Sequence, residues 1–157
     1  MREISLPDTQ ATTALGHVLA SVLRAGDCVL LEGDLGAGKT TLARALLRAL
    51  CDDADMEVPS PSYTLVQVYD APVGEVAHFD LWRLDGPEGV HELGWDDARE
   101  GVVLVEWPQR LGTLAPPDAL RITLAPDATG GRIARLEGWD TRLAQSAVFG
   151  TGDASWA

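Results

Sequence analysis

Apolar residues recur along the chain with two periods, and the changes between them mark out the elements. Ala11, Leu15, Val18, Leu19, Val22 and Leu23 repeat every 3.6 residues with Ala14 on the same face, which predicts an amphipathic helix. Asp8 or Thr9 stands where its N-cap belongs and Gly26 where it ends. Cys28-Val29-Leu30-Leu31-Glu32 reads as a short buried strand, and residues 40–50, rich in Ala, Leu and Arg, as a second helix. An acidic connection over 52–55 runs on to Pro59. Residues 63–69 alternate as a strand does, 70–74 form a turn, and 75–81 form a second strand, so a hairpin is predicted. A short helix is placed over 87–93. Gly101 opens the clearest buried strand, since the four consecutive aliphatics that follow suit burial on both faces. Residues 120–124 and 133–136 read as a further pair of strands joined across 126–131, and 141–148 as a last helix. The expected architecture is a single α/β domain over residues 1–149, with 150–157 as a mobile tail.

Length and charge narrow this picture. A chain of 157 residues suits one domain with a sizeable core. With 12 basic residues against 24 acidic, the net charge of −12 argues against sequence-blind binding to nucleic acid or anionic lipid. It leaves open contact with a protein that itself holds RNA. Cys28 and Cys51 cannot build a disulfide framework and neither has a CxxC partner, so both are expected as reduced thiols in or near the core. The first residues lack a basic and an apolar signal region, and the longest apolar runs are too short to cross a bilayer, which predicts a soluble cytoplasmic protein. The chain has no asparagine, and Lys39 is its only lysine beside eleven arginines. A lysine kept at one position points to a need for a compact, flexible ammonium there.

Gly33-Asp34-Leu35-Gly36-Ala37-Gly38-Lys39-Thr40 fits GxxxxGK[ST] and lies between a predicted strand and a predicted helix, as a phosphate-binding loop requires. Glycines let backbone N–H groups turn around phosphate oxygens, and the next helix directs its positive end at them. Lys39 is placed to neutralise the β and γ phosphates, and the Thr40 hydroxyl to ligate Mg²⁺. The aliphatic run 102–105 ends in Glu106, an acidic strand tip suited to hold Mg²⁺ directly or through water. The alternative is a surface glutamate closing a strand. Asp80, ending the next candidate strand, reads either as a group orienting the attacking water or a metal-bound water, or as a helix cap or partner of Arg83. Ser60-Pro61-Ser62-Tyr63-Thr64 is either a switch segment that reaches the γ phosphate or an ordinary turn. His17, His78 and His91 show no ligand spacing and are expected to be structural. Four of the five tryptophans read as core or rim; Trp107 directly follows the proposed metal carboxylate. Without asparagine the chain cannot supply a guanine-reading NKxD loop, so ATP is the expected nucleotide.

The order of these motifs resembles the TsaE family, the ATPases of bacterial tRNA threonylcarbamoyladenosine synthesis. The matching residues begin with Leu6-Pro7-Asp8, Leu15-Gly16 and the phosphate loop through Thr41. They continue with Ser60-Pro61-Ser62-Tyr63-Thr64-Leu65-Val66 and His78-Phe79-Asp80-Leu81-Trp82-Arg83-Leu84. Glu92-Leu93-Gly94, Leu104-Val105-Glu106-Trp107-Pro108 and Gly131-Arg132 complete the set. Two positions depart from the family: Ser62 stands for the usual threonine, and Trp82 for the usual tyrosine. The resemblance implies a P-loop, Rossmann-like three-layer fold with a mixed sheet, and slow, Mg²⁺-dependent ATP hydrolysis raised by partners. It implies docking on a TsaB–TsaD heterodimer, which transfers threonylcarbamoyl to adenosine 37 of tRNAs reading codons that begin with A. The tRNA would be met only through that complex. Carried over by position, Asp34, Leu35, Gly36, Ala37, Gly38, Lys39, Thr40, Thr41 and Ser62 would surround ATP or ADP. Trp107 and Arg132 would join them. Thr40 and Glu106 would hold magnesium, with Lys39, Asp80 and Glu106 as the catalytic set. A small-molecule P-loop kinase, or an adaptor gated by nucleotide without hydrolysis, are the competing readings.

Overall fold

The computed structural model describes residues 1–34, 36 and 38–144. In chain order these form β1 (Arg2–Leu6), α1 (Thr9–Val22), β2 (Cys28–Glu32), α2 (Lys39–Leu50), β3 (Val66–Ala71) and β4 (Gly74–Asp80). Then come α3 (Glu88–His91), α4 (Trp95–Ala98), β5 (Val102–Glu106), a 3₁₀ segment (Pro108–Leu114), β6 (Leu120–Pro126), β7 (Arg132–Glu137) and α5 (Asp140–Ala144). Among the described residues the strands make one sheet ordered β1-β7-β6-β2-β5-β4-β3. Its centre, β6-β2-β5-β4, is parallel, and antiparallel pairs flank it: β7 with β6, β1 with β7, and β3 with β4. The expected α/β three-layer fold with a mixed sheet is the observed one.

Strand alternation separates two apolar layers. Val29 and Leu31 of β2, Val102 and Leu104 of β5, and Val76 of β4 share a core with Leu15 and Leu19 of α1 and Leu42 and Leu46 of α2. Cys28, Leu30, Val103, Val105, Ala77 and Phe79 point the other way and pack with Val90, Trp95 and Leu111 from α3, α4 and the 3₁₀ segment. Both faces of β2 and β5 are therefore covered, which is why Cys28 to Leu31 and Val102 to Val105 are apolar without interruption. Burial pushes the Cys28 thiol up to about 12, so the buried cysteine stays protonated as expected; Cys51 is half-buried.

Most predicted elements lie within a few residues of their observed positions, and the differences have local causes. Asp8 caps α1, its Oδ1 accepting from the Ala11 amide at 2.9 Å. β3 starts at Val66 rather than at residue 63, because the Leu65 amide donates to Pro61 O at 2.7 Å and Leu65 turns to φ 71°. Tyr63 is left 82% exposed on that turn. The hairpin turn is tighter than 70–74, since Ala71 already pairs with Gly74. β1 and α4 lie outside the predicted elements. Among the described residues, the strand partner of the five residues of β1 is β7 alone, more than 120 positions away by sequence. The predicted segment 145–148 of the last helix and the tail 150–157 lie outside the described residues. Among the described residues no helix is long and apolar enough to cross a membrane.

Candidate functional site

The parallel strands β2, β5 and β4 end side by side, with Leu31 opposite Glu106 and Glu106 opposite Asp80. In an open parallel sheet this carboxyl edge is where connections diverge and leave a crevice. Here β2 feeds the glycine loop and α2 on one face, while β5 leads into the 3₁₀ segment on the other. Gly36 and Gly38 adopt φ of 81° and 102°, backbone states that an L side chain resists. Gly38 is the N-cap of α2 and no side chain among the described residues caps that terminus, so the positive end of a 12-residue helix is open. A cavity of about 430 Å³ lies against it, lined by Gly36, Gly38, Lys39, Thr40, Thr41, Ser62, Asp80, Glu106, Trp107 and Arg132. Of the expected site residues, Asp34 is exposed outside this lining, and its charge acts on Lys39. Leu35 and Ala37 lie outside the described residues.

Lys39, Asp80 and Glu106 are buried, as is His78, although such side chains are seldom inside a protein without a function or a partner. Glu106, 2% exposed, is thus no surface glutamate. Its Oε1 accepts from the Thr40 hydroxyl at 3.4 Å, and its Oε2 lies 2.7 Å from His78 Nε2. Asp80 receives the Ser62 hydroxyl on Oδ2 and the Trp82 amide on Oδ1, both at 3.1 Å. Arg83 is not its partner; that guanidinium lies 4.4 Å over the Tyr63 ring. The 60–64 segment is therefore tied to the site through Ser62, whose hydroxyl also meets Ser60 at 2.8 Å.

The Lys39 ammonium donates to the Gly33 carbonyl and stands 3.9 Å above the Trp107 ring. Burial pushes its pKa below the ordinary lysine value, while Glu106, Asp80 and Asp34 pull it back up. Trp107 holds φ 59°, a left-handed state uncommon for a bulky residue, immediately after Glu106. That turn places the indole between Lys39 and Trp82, whose ring lies 4.6 Å away. Arg132 reaches back to the glycine loop, Nη2 donating to Gly36 O at 2.9 Å.

Two parts of the site lie in or beside segments matched to the family but carry no site role in the sequence reading. His78 was expected to be structural; it is fully buried but contacts the strand-tip carboxylate. The alternation of β4 carried the signal, because residues 76, 78 and 80 share the face that bears α2. The second part is a wall built by Leu6, Pro7, Asp8, Thr9, Thr12, Gly130 and Gly131. Gly131 permits it: a Cβ there would lie 2.8 Å from Leu6 O and 2.9 Å from Pro7 Cα. His17 and His91 are exposed.

Comparison with known proteins gives the chain its relatives. The family model described as "Threonylcarbamoyl adenosine biosynthesis protein TsaE" matches residues 6–134. A tRNA threonylcarbamoyladenosine biosynthesis protein TsaE from Synechocystis sp. is 41% identical over 117 residues, covering 71% of this chain and 73% of that one. Its counterpart from Nostoc sp. is 35% identical over 141 residues, covering 87% and 85%. The crystal structure of Bacillus subtilis YdiB superposes with a TM-score of 0.73 at 26% identity, over 90% of this chain and 87% of that one. The matched span runs from the Leu6–Pro7 wall of the cavity through the glycine loop and the Glu106 strand tip to Arg132, and the chain belongs to the TsaE family of tRNA threonylcarbamoyladenosine biosynthesis.

Proposed function

We propose that the chain is a Mg²⁺-dependent ATPase that docks on a TsaB–TsaD pair and sustains threonylcarbamoyl transfer to tRNA in the cytoplasm. The observation that carries this reading is the convergence of one buried lysine and two buried carboxylates at the mouth of a glycine loop. The residues fit both groups. Left-handed Gly36 and Gly38 and the uncapped start of α2 offer backbone N–H groups to phosphate oxygens. Thr40 Oγ1 and Glu106 Oε1 are hard oxygen donors on neighbouring positions, the kind magnesium takes beside water and phosphate. Bound there, the ion would offset charge developing on the phosphates.

The chain's own groups supply the rest. Lys39 leaves the Gly33 carbonyl and Trp107 for the β and γ phosphate oxygens. Asp80, with both carboxylate oxygens already oriented, positions the water whose oxygen attacks the γ phosphorus as the bond to ADP breaks. The wall of Leu6, Pro7, Thr9 and Thr12 is left for the base and ribose. A surface with net charge −12 suits a partner that is itself a protein, with tRNA held elsewhere in the assembly.

Phosphate release from ATP, measured with and without purified TsaB–TsaD, tests this. A low rate alone that rises with the pair supports it. No response to the pair overturns the docking role. Nucleotide-dependent docking with ATP left intact in a single turnover indicates an adaptor, and a phosphorylated metabolite found by mass spectrometry indicates a kinase.

A further inference from the structure

We propose that His78 is a positioning residue that holds one oxygen of Glu106 and so sets how the metal-binding carboxylate is presented. The inference rests on the nucleotide-site reading above and adds a residue that the reading does not use. His78 is completely buried, on the same face of β4 as Asp80 and two register positions from Glu106 on β5. Its Nε2 lies 2.7 Å from Glu106 Oε2, while Glu106 Oε1 faces the Thr40 hydroxyl at 3.4 Å. A carboxylate is acceptor-only, so Nε2 must carry the proton, and the bond fixes the tautomer. Nδ1 is buried with no hydrogen-bond partner among the described residues. A histidine kept solely for packing would be better replaced by an apolar residue, since a buried nitrogen without a partner is destabilising. The Glu106 contact is what this position gains in return.

The consequence is chemical. With Oε2 engaged, Glu106 offers a single oxygen beside the Thr40 hydroxyl. One-oxygen presentation suits Mg²⁺, which is small, octahedral and retains water; Ca²⁺ accepts both oxygens of a carboxylate readily. His78 therefore acts as a selectivity device as well as an orienting one, in the manner of outer groups that steer a metal ligand.

The test uses the full chain and a non-hydrolysable ATP analogue, with affinity measured calorimetrically in EDTA, in Mg²⁺ and in Ca²⁺. His78→Gln places an amide N–H near the position of Nε2; His78→Asn is one bond shorter and cannot reach Glu106. The Asn variant is expected to lose about tenfold of the Mg²⁺-promoted gain in affinity. Its Ca²⁺-promoted gain and its affinity in EDTA should change less than threefold. The Gln variant is expected to keep the wild-type Mg²⁺-to-Ca²⁺ ratio. Equal behaviour of the two variants overturns the proposal. Nitrogen-15 NMR of histidine in the wild-type protein decides independently of any variant. The Nε2–H signal of His78 should persist when Mg²⁺ and the analogue are added, and its loss would overturn the assignment. If the wild-type protein binds no analogue in any condition, the nucleotide-site reading itself fails.

Discussion

Glu106→Gln separates what holds the site together from what makes it work. The substitution keeps shape and both contacts: the amide oxygen can accept from His78 Nε2, and the amide group can meet the Thr40 hydroxyl. Losing the charge weakens the His78 bond from a charge-assisted one to a neutral one, about 1 kcal/mol. Against this and the lost attraction to the Lys39 ammonium, a carboxylate only 2% exposed no longer has to be desolvated, which offsets a similar amount. The net change in folding free energy is expected within about 1 kcal/mol of zero. For 157 residues the unfolding entropy is about 0.33 kcal/mol per degree, so the midpoint should move by no more than about 3 °C. Glu106→Ala, in contrast, strands the His78 donor and opens a void, and should cost about 2–3 kcal/mol, or about 6–9 °C. Thermal denaturation followed by circular dichroism, without nucleotide or metal, measures both. In the same Gln variant, Mg²⁺ should lose most of its effect on nucleotide affinity. If Gln destabilises as much as Ala, charge rather than hydrogen bonding secures this strand tip, and the argument is wrong. Wild-type metal dependence in the Gln variant would remove Glu106 from the metal site.

Other expected outcomes follow from the same geometry. Lys39→Ala should weaken ATP binding about ten- to a hundredfold, the worth of hydrogen bonds to a charged group, as read by equilibrium titration. Burial lowers the Lys39 pKa on folding, so the unfolded chain holds this proton more tightly. The buried ammonium therefore weakens the fold at neutral pH, and that cost fades as pH rises through the folded-state value towards 10.5. Stability of the wild-type protein relative to Lys39→Met should accordingly increase over that alkaline window; a flat difference would contradict the shift. Gly131→Ala should cost about 1–3 kcal/mol, because backbone rather than a movable side chain meets the new methyl group. It should also lower nucleotide affinity by displacing the Leu6–Pro7 wall. Trp107→Phe should remove the emission change on nucleotide binding if Lys39 leaves the indole, and an unchanged response would mean another tryptophan reports.

The central strands were legible because burial on both faces leaves an unmistakable mark. Cys28 to Leu31 and Val102 to Val105 carry no polar interruption, and the second run leads directly into Glu106, the acidic residue that the site uses. The glycine loop was legible because few residue types tolerate its backbone. What stayed hidden depends on partners distant in sequence. β1 is a strand only by virtue of β7, and Gly131 has its meaning only when Leu6 and Pro7 lie against it. His78 differs from an ordinary core histidine only once Glu106 is known to lie diagonally across from it. The Trp107 turn leaves no periodic trace either, since a single residue in a left-handed state breaks no pattern.

The parallel centre of the sheet also has a bearing on how the chain is born. β2 sits between β5 and β6, which emerge from the ribosome some seventy and ninety residues later. Thr40 must wait for Glu106, and the Leu6 edge of the cavity waits for Gly131, almost the end of the described chain. A product that ends before Gly131 therefore lacks residues that line this cavity. Nucleotide capture during synthesis would mark the moment when the last strands have docked.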